Sequence, residues 1–402
     1  MVNRLQEGLV IEPRTRPPAC WRLLLLNAAP GARAREVSHA LAELVSMLGD
    51  LGAGRVRELA GQPAGDEEAS REQFCGLRPL LGYGRRLFDR DAHEPALTRT
   101  QRPEFLVYLP RDTAAFPAIP WADIGAPNAG EADIALQLGG EREATVNCAA
   151  VECWKLIEDK SLPLTVADTF SGFGRGDGRG WLEFHDGVSN IASSQRLTAL
   201  AAGPHPGWMR GGTYMAFLRL AVDLRAWRRL NRSDQELLVG RDKLSGAALV
   251  GVARDAGGRA VPVAAAAPGV GASAEERALW RDPPETTDPV VEASHIHRAN
   301  QNRASPGSRG GLRMFRQGYD FLDGFRDGRP VLGLNFVSFQ RDLRSFQHVL
   351  HLPGWLGDVN FGGPAPAPTG DPPAPTLIEL LAGGFYAVPP RAEPFPGSKL
   401  FT

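Results

Sequence analysis

Cysteine is scarce in this chain of 402 residues, with only Cys20, Cys75, Cys148 and Cys153 present. No CxxC occurs, and Cys148 and Cys153 miss the spacing that puts two side chains on one helix face. A disulfide framework and a thiolate metal clip are therefore not expected, and buried reduced thiols are. No apolar run approaches the ~18 residues of a membrane span. Lysine is confined to Lys155, Lys160, Lys243 and Lys399, so arginine supplies nearly all the positive charge, yet the formal net charge is only −1. Without a basic excess, a nucleic-acid partner is not expected. The N-terminus has no apolar signal core, and a cytoplasmic protein is expected. The glycine-rich stretch 172–180 contains no GxGxxG frame and no GK[ST] follows it, while GxSxG and HExxH are also missing.

What is present reads as globular. Hydrophobic residues make up 43% and charged residues 23%, and the length suggests two to three domains. Strands are predicted at 21–27, 105–109, 132–138 (half-buried), 213–222, 331–340, 378–381 and 385–388. A helix is predicted over 34–48, where Val37, Leu41, Leu44, Val45 and Leu48 form one stripe and Gly49 and Gly52 end it. Further helices are placed at 146–157, from 223 towards 230, and at 342–350. A short one is opened by a Ser233–Glu236 capping box. Residues 60–100 and 251–290 read as irregular, and 364–375 as a proline-rich loop. The two halves repeat one element order, which predicts α+β halves with helices on one face of a mainly antiparallel sheet.

Three polar segments stand out: 181–190 with Asp186-Gly187, 294–300 with His295-Ile-His297, and 313–319 with Arg316. Each has a plain structural alternative: an Asp-Gly turn between strands, a polar loop, and a strand edge. His295 and His297 on a strand could also form a bare metal site. That would need a third ligand, and only His348 and His351 follow downstream.

In order and spacing, the three segments together resemble the dye-decolorizing peroxidase family, which are haem enzymes. His185-Asp-Gly-Val-Ser-Asn190 is similar to the GxxDG(T/S)xN segment holding the distal aspartate. His295-Ile-His-Arg-Ala-Asn300 is similar to the HIRRxNPR segment of the proximal histidine. Phe315-Arg-Gln-Gly-Tyr319 is similar to the RRGxxY segment of the distal arginine. The likeness extends from about 130 to the end, through 211–217, 239–248, 333–340 and 381–386. Four departures are visible: Glu183 replaces the first glycine of GxxDG, His297 the arginine after the ligand, Gln301-Asn302 the Pro-Arg pair, and Gly318 an asparagine found in some members.

The resemblance implies two ferredoxin-like α+β domains with antiparallel sheets and peripheral helices. Residues 1–200 would carry the distal aspartate loop and 201–402 most of the haem site. It implies one haem b per chain, with His295 as the iron ligand. Gly187, Val188, Ser189, Arg298, Asn300, Arg316, Leu334 and Phe336 would contact the cofactor, with Leu334 and Phe336 lining the distal pocket. A haem ligand needs its second ring nitrogen fixed by an acceptor, for which Asp358 is named. Asp186 would act as acid/base on hydrogen peroxide, and Arg316 would stabilise negative charge as the O–O bond breaks. Arg316 also favours the ionised aspartate, so activity is expected to peak below neutral pH. The implied activity is peroxide reduction coupled, through a ferryl intermediate, to oxidation of dyes, phenols or other one-electron donors. The partners are thus hydrogen peroxide and an organic donor, with a homo-oligomer left open. The alternatives are a haem carrier or haem-processing protein of the same fold, and the bare HxH metal protein.

Overall fold

A computed structural model of the chain describes residues 5–9, 16–57, 64–89, 101–109, 129–201, 207–269, 286–299, 314–350 and 377–402, with 61, 97, 271, 273, 277 and 280–282 between them. In the first half, β1 (Cys20–Ala28), β2 (Arg78–Gly84), β3 (Ile134–Gly140) and β4 (Leu164–Phe173) pair antiparallel in the order β4-β1-β3-β2. In the second half, β5 (Thr213–Val222), β8 (Phe315–Arg326), β9 (Arg329–Gln340) and β10 (Ile378–Val388) pair in the order β10-β5-β9-β8. Counting strands within each half, both orders are 4-1-3-2, the ferredoxin-like arrangement. The halves meet edge to edge, β2 on β10 and β4 on β8, and close one eight-stranded barrel. A separate hairpin, β6 (Leu249–Arg254) and β7 (Ala260–Ala264), stands outside it.

The leucine run of β1 shows why the strands are so apolar. Leu23 and Leu25 point into the barrel with Trp21, while Leu24 and Leu26 point out under the helices. A strand buried on both faces reads as a continuous apolar run. The helix Ala34–Gly52 lays Val37, Leu41, Leu44, Leu48 and Leu51 on that outer face beside the helix Glu143–Asp159. Each fully buried leucine contributes roughly 1.5–3 kcal/mol. Among the described residues all four cysteines are free thiols, and burial pushes that of Cys153 up to about 12.

Several expectations need correcting. The first helix runs through Gly49 to Gly52, because its leucine stripe continues to Leu51. Residues 60–100 contain a helix, Ala64–Phe74, and the barrel strand β2. Residues 105–109 are not a strand. The third strand is buried on both faces, not half-buried. Residues 251–290 include the hairpin of β6 and β7. The helix Arg232–Val239 is capped by Asn231, whose side chain accepts from the Asp234 N–H at 3.0 Å, so Ser233 lies inside it. The two C-terminal strands are one, with a register shift between Leu380 and Ala382. The proline-rich loop at 364–375 lies outside the described residues.

Candidate active site

The loop leaving β4 is built from nested turns. Gly178 N–H donates to Arg175 O at 3.0 Å, Gly180 N–H to Phe184 O at 3.2 Å, and Glu183 N–H to Gly180 O at 2.9 Å. These bring Asp186 back against Gly178, whose carbonyl accepts from the Asp186 N–H at 2.9 Å. The next residue, Gly187, has φ +71°, a left-handed backbone that glycine adopts without a Cβ penalty. Its N–H donates to Asp186 Oδ1 at 2.7 Å and fixes the carboxylate. Asn190 then ties the loop to β8. Its Nδ2 donates to the Arg316 carbonyl at 2.6 Å, and its Oδ1 accepts from the Arg316 N–H at 3.0 Å.

On β8, alternation puts Arg316, Gly318 and Asp320 on the outward face, and Phe315 and Tyr319 inside the barrel. The β9 residues paired with Gly318 and Asp320 are Phe336 and Leu334. A Cβ added at Gly318 would lie 3.0 Å from Asp186 Oδ2 and 3.3 Å from Leu334 Cδ1, so Asp186 occupies the space a side chain there would take. Burial lowers the pKa of the Arg316 guanidinium, while the charges of Asp186 and Asp282 act in the opposite direction.

His295 and His297 lie on a one-turn helix, His295–Arg298, not on a strand, so they do not share a face. His297 is fully buried. The Ser294 hydroxyl donates to Val291 O at 2.7 Å, which leaves its oxygen to accept from His297 Nδ1 at 2.9 Å. His295 is half-buried. Burial first, then the positive charges of Arg316 and Arg241, hold its pKa down at about 4, so it is a neutral imidazole near pH 7. Arg316 is thus within electrostatic reach of both Asp186 and His295.

The structure therefore groups Asp186, Gly187, Arg316 and Leu334 directly, with His295 coupled to them. Phe336 packs in a tilted pair, ring centroids 5.9 Å apart, with Phe346 of the helix Leu343–Leu350, at the edge of the same face. Val188 is half-buried on the loop. The Ser189 hydroxyl donates to Arg281 O at 2.8 Å and accepts from Arg241, so its polar contacts are structural. The Nε of Arg298 is buried with no hydrogen-bond partner among the described residues. Asn300, Gln301-Asn302, His351, Asp358 and the side chain of His348 lie outside the described residues. Sequence reasoning missed the clamp by Asn190 and the role of Arg241. The Arg241 guanidinium donates to Gly246 O and Arg281 O, both at 2.8 Å. It also missed Asp320. Nothing in a linear motif ties Asn190 to β8, although the asparagine itself was part of the matched segment.

The profile described as Dyp-type peroxidase, C-terminal matches residues 177–392. The chain belongs to that family. A dye-decolorizing peroxidase of Thermobifida fusca is 30% identical over 227 residues, which cover 52% of this chain and 46% of the relative. A deferrochelatase of Shigella flexneri is 29% identical over 227 residues, covering 52% and 48%. The matched stretch thus spans about half the length of these curated relatives. The fold is shared along the whole chain. A DyP-type peroxidase structure from Streptomyces coelicolor has 24% identity and TM-score 0.67, covering 97% of this chain and 94% of its own. Ferric DtpA from Streptomyces lividans has 23% identity and TM-score 0.67, covering 98% and 97%.

Members of the Dyp-type peroxidase family bind haem, and the residues here suit it. The neutral imidazole of His295 would serve as a donor to haem iron, whose other nitrogen donors the porphyrin brings. Leu334 and Phe336 offer apolar surface, and the Arg298 Nε offers a buried donor for a propionate. Among the described residues no group of three His, Cys, Asp or Glu side chains could hold a metal ion unaided. No helix among them is long and apolar enough to cross a membrane.

Proposed function

We propose that this member of the family is a cytoplasmic haem peroxidase holding one haem b per chain. In this reading it reduces hydrogen peroxide and oxidises dyes, phenols or other one-electron donors. His295 is the iron ligand, and Arg298 and Arg316 hold the propionate edge and the distal charge. The observation that carries the reading is the position of Arg316, whose charge acts on both Asp186 and His295 while its backbone is clamped to the Asp186 loop by Asn190.

Haem, when bound, supplies the electrons that cleave the O–O bond. Asp186 would take a proton from one peroxide oxygen and return it to the other, which leaves as water. Gly187 N–H keeps the carboxylate aimed during both transfers, and Arg316 stabilises negative charge on the departing oxygen. Leu334 and Phe336 narrow the entrance to small molecules, so bulky donors are oxidised from the surface.

Deferrochelatase relatives support a second reading, haem processing with little peroxidase turnover. Mixing the haem-loaded protein with one equivalent of peroxide separates the two. The peroxidase reading expects an immediate change in the visible spectrum that reverses when a donor is added. A haem spectrum indifferent to peroxide would instead favour haem processing.

A further inference from the structure

Asp320 follows Gly318 on the outward face of β8, about 6.6 Å further along the strand. Asp186 Oδ2 lies 3.0 Å from where a Cβ of Gly318 would be, so the two carboxyls flank one stretch of this face, where water can link them. Asp320 sits at the seam of the two halves, where β4 and β8 are joined through the pair Phe173–Asp320. Its Oδ1 lies 3.6 Å from where a Cβ of Gly180 would be, so its carboxyl abuts the loop that carries Asp186. Only 7% of it is exposed, and its carboxyl makes no hydrogen bond or ion pair with another described residue. The charged groups facing it are Asp186, Asp177 and Glu183 on the loop and Arg175 at its start. Across the strand pair β9 presents only Leu334. Arg175 is already engaged, donating to Asp177 Oδ2 at 2.6 Å and to Glu183 Oε1 at 3.2 Å. Burial, then the negative charge of Asp186, push the Asp320 carboxyl up to about 7.

The peroxidase reaction needs such a group. The first water takes both its protons from peroxide, one of them by way of Asp186, which ends that step ionised with no proton to give. The second oxygen leaves as water only after two electrons from the donor and two protons from elsewhere have arrived. We propose that Asp320 is the relay for those two protons. It passes them one at a time through water to Asp186, and it is reloaded from solvent along the exposed Asp177 and Glu183. The proposal deepens the peroxidase reading and rests on it. Asp320 acts through Asp186 and does not touch peroxide.

The test uses haem-loaded wild type, Asp320→Asn and Asp320→Glu, with ferrocyanide, a donor that brings an electron but no proton. Asp320→Asn should react with peroxide at close to the wild-type rate but slow ferrocyanide turnover about tenfold, with an altered solvent isotope effect. It should also lose the decline of that rate as pH rises through about 7. Asp320→Glu should restore both. A phenol, which brings its own proton, should be slowed less. Infrared titration of the haem-free proteins should show a protonated carboxyl in wild type at pH 6 that Asp320→Asn lacks. Unchanged ferrocyanide turnover and pH profile in Asp320→Asn, or an Asp320 carboxyl already ionised at pH 5, overturns the relay alone. A wild-type protein that binds haem but ignores peroxide overturns the peroxidase reading and the relay with it.

Discussion

The second strand of each half occupies the same place in the 4-1-3-2 order, yet the two outward faces differ. On β2 that face presents Leu81 and Tyr83 to the apolar core, with the Tyr83 ring against Trp208 and Phe401. On β8 it presents Arg316, Gly318 and Asp320. The connections account for the difference. In the first half the crossover from β1 supplies a long amphipathic helix that seals the sheet. In the second, the described parts of the 223–314 crossover are one- and two-turn helices and the hairpin of β6 and β7. These pack small apolar clusters of their own and leave the β8 face to polar groups. The same sheet thus contributes stability where it is sealed and, in the proposed function, chemistry where it is not.

Substitutions on the two faces sharpen this contrast. The largest effect is expected from Asp320→Asn on stability. The folded-state pKa of Asp320 is raised from 3.8 to about 7, so the folded protein binds the proton more tightly than the unfolded chain. Its contribution is fully present below about pH 4 and is lost as pH rises through 7. The unfolding free energy of the variant relative to wild type should therefore grow by about 4 kcal/mol between pH 4 and pH 8. Urea denaturation at both pH values measures it, and a difference independent of pH would place Asp320 outside the low-dielectric site. On the sealed face, Leu41→Ala should cost about 3 kcal/mol by urea denaturation with haem affinity unchanged. If haem affinity fell with stability, the two faces would not be separable. Asp186→Asn should do the reverse, slowing the reaction with peroxide on the order of 100-fold while haem content and melting temperature hold.

The smallest effect concerns Glu183, where the family pattern has glycine. Its φ is +66°, so the chain keeps the left-handed turn and forces it on a residue with a side chain. Replacing it by glycine removes a penalty of about 1–2 kcal/mol, against an exposed ion pair to Arg175 worth less than about 1 kcal/mol. A net gain of about 1 kcal/mol in thermal unfolding is expected, and a loss would mean that the Glu183–Arg175 pair holds the loop.

Elements with strong local patterning were legible before the fold was known. The predicted strand at 213–222 coincides with β5, and the leucine stripe located the first long helix. β2 was missed because Arg78-Pro-Leu-Leu-Gly-Tyr-Gly84 contains a proline and two glycines, which read as a loop until pairing with β3 and β10 is known. The histidine segment was placed on a strand because four residues are too short for helical periodicity to show. Within the proposed site, Asp186, Arg316 and His295 sit in contiguous segments, so the sequence alone could nominate them. It did not nominate Asp320. Its importance comes from the register of β8 on β9 and from the loop at Gly180 folding back over it, both long-range facts that no local spacing encodes.

Haem titration of wild type beside His295→Ala and His297→Ala tests the central claim most directly. One haem per chain with a histidine-ligated spectrum is expected in wild type and in His297→Ala, and no such complex in His295→Ala. Full haem binding by His295→Ala with loss in His297→Ala would contradict the account.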